Sequence, residues 1–238
     1  MALTHTKTAP ATFCLLCHFV TADIQFVARQ AARKVRRERI DEIAQKQYQM
    51  PDSDHCRKAL SLVAECSPEF LVNHGLRSYA FAVAMAHRVR KPFDREVLFM
   101  GAIMHDLGLT SQYDCGNTFE VDGARAARSF CIDQNLTTDR ADLVHEMVVH
   151  HNSVGHAHKM NPEIALLHYG AGVDVAGLWL DEIHPRTLAQ VVENYPREGF
   201  KQGMVALLKD QVRRKPSSYM APFIKLGFLK KIEHAPLP

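Results

Sequence analysis

The chain lacks an apolar run long enough to cross a bilayer, which takes about 18 to 20 consecutive residues. The nearest candidate, Phe13 to Val20, is interrupted by His18 and closed off by Asp23. A secretory leader wants a basic start and a longer apolar stretch, and Lys7 alone precedes this one. Membrane insertion and secretion are therefore not expected, and a cytoplasmic protein is. Charge of one sign is also scarce: a net +3 over 238 residues is too small a surplus to point to nucleic acid as a partner. The six cysteines, at 14, 17, 56, 66, 115 and 131, follow no regular frame and read as reduced thiols rather than a disulfide scaffold. Cys14 and Cys17 form one C-x-x-C, but no second pair or βαβ pattern follows, so it is weak ground for zinc or redox chemistry. Strand-like alternation is nearly missing, and no internal repeat is present.

What remains is helical. Hydrophobic residues make up 47% and charged residues 23%, the balance of a chain that can bury a sizeable core. Residues 1–50 read as an extension: weakly ordered to about residue 28, then a helix from Arg29 to Gln47. Arg29, Arg33, Lys34, Arg36, Arg37 and Arg39 give that helix a basic, solvated face. The break Met50-Pro51-Asp52 opens the main domain, 51–238. There Ser67-Pro68-Glu69 starts a helix, with Ser67 as cap, that runs through His74 to about Arg90. Asp94 caps the next, apolar at Val97, Leu98, Ile103 and Met104 and ending at Gly108. Further helices are predicted over Val121 to Gln134, from the Thr137-Thr138-Asp139 run to His151, and over Pro162 to Leu180. The remaining three cover Pro185 to Tyr195, Gly199 to Arg214 and Tyr219 to Ile232. The expectation is an all-α, compact helical bundle with a weakly ordered N-terminal extension.

Fourteen histidines are more than a solvated surface needs, and histidine is the commonest metal ligand. His105-Asp106 ends an apolar helix, where two ionisable side chains are costly unless they are paired or bind a cation. His74 sits on a helix whose inward face is Leu71, Tyr79, Ala82 and Met85. Asp174 lies within Gly170-Ala-Gly-Val-Asp-Val-Ala-Gly177, where small neighbours let the helix approach others closely. Two imidazoles and two carboxylates without a thiolate suit one divalent ion, zinc foremost, with iron, manganese and nickel compatible. Arg77, one turn from His74, either holds a ligand carboxylate, meets an anionic substrate or makes a surface salt bridge. Glu120 is either a favourable charge at a helix N-terminus or a pocket residue. His150 and His151 follow Leu143, Val144, Met147 and Val148 at helical spacing, so both can lean inward, as site residues or as satisfied core histidines.

The order His74, then His105-Asp106, then Asp174 resembles the H…HD…D pattern of the HD superfamily of metal-dependent phosphohydrolases. The local text is most similar to its cyanamide hydratase branch. The matching pieces are His74-x-x-Arg77-x-Tyr79, His105-Asp106-Leu-Gly-x-Thr110, Phe119-Glu120-x-x-Gly123 and a helix closed by His151. The resemblance covers roughly residues 65–215 and implies a helical domain, a bound divalent metal and an activated water. Metal ligands would be His74, His105, Asp106 and Asp174, with His151 or Glu120 moving protons and Arg77 orienting the site. Two departures matter. Two-metal members carry a histidine shortly before the position of Gly123, where this chain has Phe119 and Glu120, so one metal is expected. Deoxynucleotidases of the superfamily carry an acid three positions after the HD aspartate, where this chain has Leu109. The reading is a hydrolase or hydratase acting on a small, uncharged or weakly polar molecule. Alternatives are a phosphohydrolase of nucleotides or other phosphate esters and a metal-binding sensor without turnover. Neither nucleic acid nor membrane is expected as a partner, and a homo-oligomer is compatible.

Overall fold

The computed structural model describes residues 39–89 and 91–237, together with positions 17, 21, 24, 27–29, 31 and 32. Among these residues there is no strand, and no helix is long and apolar enough to cross a membrane. The all-α expectation holds, and the described residues form a compact helical bundle.

Two short elements lead in: α1 (Gln45–Tyr48) and α2 (Asp54–Cys66), the latter capped by Ser53, whose hydroxyl accepts from the Cys56 amide. The expected helix over 29–47 is not continuous. Residues 39–44 are not helical, because the chain is pinned there: the Ile43 amide donates to Thr187 Oγ1, and Tyr48 is fully buried. Residues 33–38, with most of the basic face, lie outside the described residues, as does Cys14. The described positions between 17 and 32 are helical, earlier than the period suggests, and Arg29 reaches Glu182 at 3.1 Å.

The centre is made by α3 (Glu69–Ala84), α4 (Arg95–Met104), α6 (Thr138–His150) and α7 (Pro162–Ala176). Helix α3 opens at Pro68, one residue later than the Ser67 cap predicted, since Ser67 closes α2. It stops at Ala84 rather than Arg90, because Arg88 turns away to grip buried Glu182 through two bonds of 2.8 Å. The Asp94 cap is as read, its carboxylate accepting from the Glu96 and Val97 amides. Helix α7 ends at Ala176 rather than Leu180. Gly177 adopts φ 67° there, a left-handed conformation that glycine tolerates and that ends helices. Helix α5 (Phe119–Asp133) pairs with α6 across residues 134–137, with Asn135 in the left-handed region. Beyond lie α8 (Pro185–Asn194) and α9 (Phe200–Arg214). The single helix expected over Tyr219 to Ile232 is two, α10 (Ala221–Lys225) and α11 (Phe228–Glu233), divided at Gly227, where φ is 87°.

Two close approaches position the site. A Cβ built on Gly170 would lie 2.1 Å from the Ser78 carbonyl oxygen, so α7 touches the backbone of α3 at this point. That contact brings Asp174, one turn on, level with His74 and Arg77. A Cβ on Gly108 would lie 2.0 Å from the Phe119 carbonyl oxygen, which seats the segment after Asp106 on the first turn of α5. Leu71, Phe119, Phe200, Met204, Leu208, Met220 and Phe223 form a second apolar cluster beside the main core.

The bundle also carries an acid-sensitive clasp. Burial alone would raise the Glu96 carboxyl. Hydrogen bonds from Ser53, Arg140 and His55 outweigh it and take the group from its ordinary 4.5 down to about 2. A depressed carboxylate stabilises the fold in full above its unfolded pKa, and that contribution is lost as pH falls through the folded value. We expect a melting curve whose midpoint drops as pH goes from 4.5 towards 2, and a shallower drop for Glu96→Gln. Equal pH dependence in the two proteins would rule the clasp out.

Candidate metal centre

His105 and His151 occupy the same structural position on two different helices. Each is the cap at the C-terminus of its helix, α4 and α6, and each donates from Nδ1 to the carbonyl three residues back, Ala102 and Val148, at 2.7 Å. A carbonyl oxygen only accepts, so each Nδ1 carries the hydrogen, and in the neutral ring Nε2 carries the lone pair. His74 follows the same rule with another partner: its Nδ1 donates to Asp174 Oδ2 at 2.7 Å. A histidine whose far nitrogen is held by a carbonyl or carboxylate is in the state that metal ligands take.

The near nitrogens converge. His74 Nε2 and His105 Nε2 are 3.1 Å apart, and Asp106 Oδ2 lies 3.5 Å from the first and 3.3 Å from the second. Two lone pairs facing at that distance repel unless a cation or a proton lies between them. Ligands about 2.1 Å from one ion stand roughly 3.0 to 3.5 Å from one another, so these three atoms are spaced as the edges of a coordination shell. They form a group that could hold a metal ion, all three buried. His151 Nε2 is 4.0 Å from Asp106 Oδ1, and its ring centre is 4.9 Å from that of His105.

The electrostatics fit a cation. Burial is the largest single influence on Asp106 and would raise its carboxyl, but His105, His74 and His151 outweigh it and hold it below the usual carboxylate range. Burial lowers the His74 imidazole, whereas at His105 the Asp106 carboxylate overcomes burial and raises it. Asp174 is fully buried, and Arg77, His74 and Arg197 outweigh its burial and keep it ionised well below the usual range.

The structure places the predicted residues at three depths. His74, His105 and Asp106 meet at one point, with His151 beside them on the same cavity. Asp174 stands behind His74. Its Oδ2 accepts from His74 and from Arg77 Nη2 at 2.9 Å, and its Oδ1 accepts from Arg77 Nε at 2.8 Å and from Arg197 Nη1. Arg77 also donates to the Tyr195 and Pro196 carbonyls, so it holds a carboxylate and does not line the cavity. Glu120 is fully buried behind the wall, its Oε1 accepting from Asn152 Nδ2 at 2.8 Å. Its place is to orient Asn152, which does line the cavity. His150 is half-buried and bonded to Ser153.

Three residues of the site escaped the sequence reading. Arg197 completes the grip on Asp174 and lies over the Phe200 ring at 4.6 Å, from a loop with no periodic signal. Asn152 lies just past the helix that His151 closes. His168, within the helix predicted over Pro162 to Leu180, is buried, lines the cavity and donates from Nδ1 to the His151 carbonyl at 2.7 Å. Its spacing from Asp174 gave no signal, since side chains six residues apart on a helix point about 120° away from each other.

Residues 71–189, half of the chain, match the family model described as HD domain. Two proteins of Saccharomyces cerevisiae, named Cyanamide hydratase DDI2 and Cyanamide hydratase DDI3, are each 24% identical to this chain over 174 residues. The similarity covers 70% of this chain and 76% of each of theirs.

Proposed function

The chain belongs to the HD domain family of metal-dependent hydrolases, and from that premise we propose that it adds water to a small uncharged substrate, a nitrile of the cyanamide kind foremost. The observation that carries the reading is the cavity over His74, His105 and Asp106. Its volume is about 80 Å³, and no lysine or arginine is among the described residues that line it. Clefts for drug-sized ligands run to roughly 300–1,000 Å³. Phosphoryl transfer relies on cationic clamps around the charged oxygens. Here Arg77 and Arg197 both reach for the Asp174 carboxylate, and neither lines the cavity. The similarity to the two yeast cyanamide hydratases supports the same choice.

His74, His105 and Asp106 would hold one divalent cation, zinc foremost, with Asp174 fixing the His74 ring from behind. A cation bound there would lower the pKa of water toward neutrality and polarise an electrophilic carbon. Hydration of a nitrile places oxygen on carbon and hydrogen on nitrogen, with no net gain or loss of protons. His151 Nε2, on the cavity beside Asp106, is placed to take a proton from the attacking water and return it to the substrate nitrogen. Reduced cysteines fit a cytoplasmic setting, and Cys17, Cys56, Cys66, Cys115 and Cys131 are all free thiols.

Elemental analysis of the purified protein, followed by turnover of cyanamide, alkyl nitriles, nucleoside monophosphates and cyclic nucleotides, tests the reading. We expect about one metal per chain and turnover of nitriles. Two metals, or hydrolysis of nucleotides with none of cyanamide, would overturn it. His151→Ala should keep its metal and lose on the order of 10²-fold in rate, as expected for a group that moves protons. Loss of metal from that variant would make His151 a ligand instead.

A further inference from the structure

The walls of the cavity differ in chemistry and in origin. Its polar lining, His74, His105, Asp106, His151, Asn152 and His168, lies within the 71–189 stretch that matches the HD family. The rest of the lining is apolar and includes Ala171 and Val175 from α7, Leu208 from α9, Met220 and Phe223 at α10, and Phe228 from α11. Four of these six lie beyond residue 189, so most of that wall comes from the C-terminal helices, outside the stretch that matches the HD family. Leu208, Met220 and Phe223 are also members of the second apolar cluster, with Val175 and Phe228 packed against it, so the wall is backed by a core.

A bare cyanamide molecule has hydrogen-bonding nitrogens at both ends, and such a wall offers them nothing. Water gains little there as well, since an ordered water needs two to four polar partners. An apolar surface in a ligand cavity is matched by apolar substrate surface. We propose that the substrate carries a short alkyl group that packs on Ala171, Val175 and Met220 while its electrophilic polar end faces Asp106 and the histidines. This inference rests on the small, uncharged substrate class argued above and narrows it.

Straight-chain hydroxamates from acetohydroxamate to pentanohydroxamate test it, titrated calorimetrically into the metal-loaded protein. Their polar group seeks the cation, and the alkyl chain alone varies. The dissociation constant should fall about fourfold for each of the first two or three methylenes, the gain from moving one CH₂ out of water. Ala171→Leu fills the wall and should abolish the gain for the longer chains without loss of metal. Val175→Thr keeps the shape, adds a hydroxyl and should flatten the series. A flat or weakening series in the unmodified protein would overturn the inference whatever the variants do. Turnover of cyanamide with a flat series would overturn this inference alone. A steepening series with no nitrile turned over would overturn the hydration reading and leave the alkyl wall standing.

Discussion

Replacing Asp106 with alanine should strip the metal from the protein and lower turnover by on the order of 10³-fold or more, because the variant removes the one carboxylate at the convergence of the three imidazoles. His74 and His105 would be neutral ligands, and Asp106 lies 3.3 to 3.5 Å from them. Its ionised state is secured by those same histidines, which outweigh the effect of burial. The fold should survive, since the variant leaves neutral imidazoles rather than an unpaired buried charge. Inductively coupled plasma analysis and a far-ultraviolet circular dichroism spectrum check both halves. Full metal content in a folded Asp106→Ala protein would end the claim that this carboxylate is a ligand.

The largest effect on stability is expected from Asp174→Ala. Arg77 and Arg197 both put their charges on this carboxylate in a region sealed from water, Arg77 and Asp174 being fully buried. Removing the shared anion leaves two buried guanidiniums facing each other, and breaking a buried pair costs about 3–5 kcal/mol. For a chain of this size that lowers the melting temperature by on the order of 10 °C. Asp174→Asn keeps the shape and should cost less. If Asp174 acts through His74, metal affinity should fall about 10- to 100-fold in the asparagine variant, the usual penalty for losing the partner of a ligating histidine. Complete loss of metal from a folded Asp174→Asn protein would place the carboxylate on the ion itself.

The difference between these two aspartates shows where the sequence stops being sufficient. Both were recognisable as functional because each is a carboxylate in an apolar helix, a costly placement that demands a partner. Which partner each takes depends on the direction of a helix face. His105 and Asp106 follow one another at a helix end, so neighbouring side chains can turn to one point. Asp174 is on a separate helix, and its depth is set by the close approach of Gly170 to Ser78. Glu120 and Arg77 illustrate the same limit. Each was marked as a site residue, and each is buried at one remove from the cavity, orienting Asn152 and Asp174 respectively.

Local chemistry determined the helices, the cap at Asp94 and the approximate place of the histidines, because propensity, capping and apolar period are properties of contiguous residues. Several helix ends it misjudged, since Arg88 leaves its helix for Glu182, a residue 94 positions away. Arg197, Asn152 and His168 joined the site, and Met220, Phe223 and Phe228 came to wall it, only through packing between distant segments. No period links those residues to His105. Their convergence is decided by which helix faces can bury against one another, and that is a property of the folded whole.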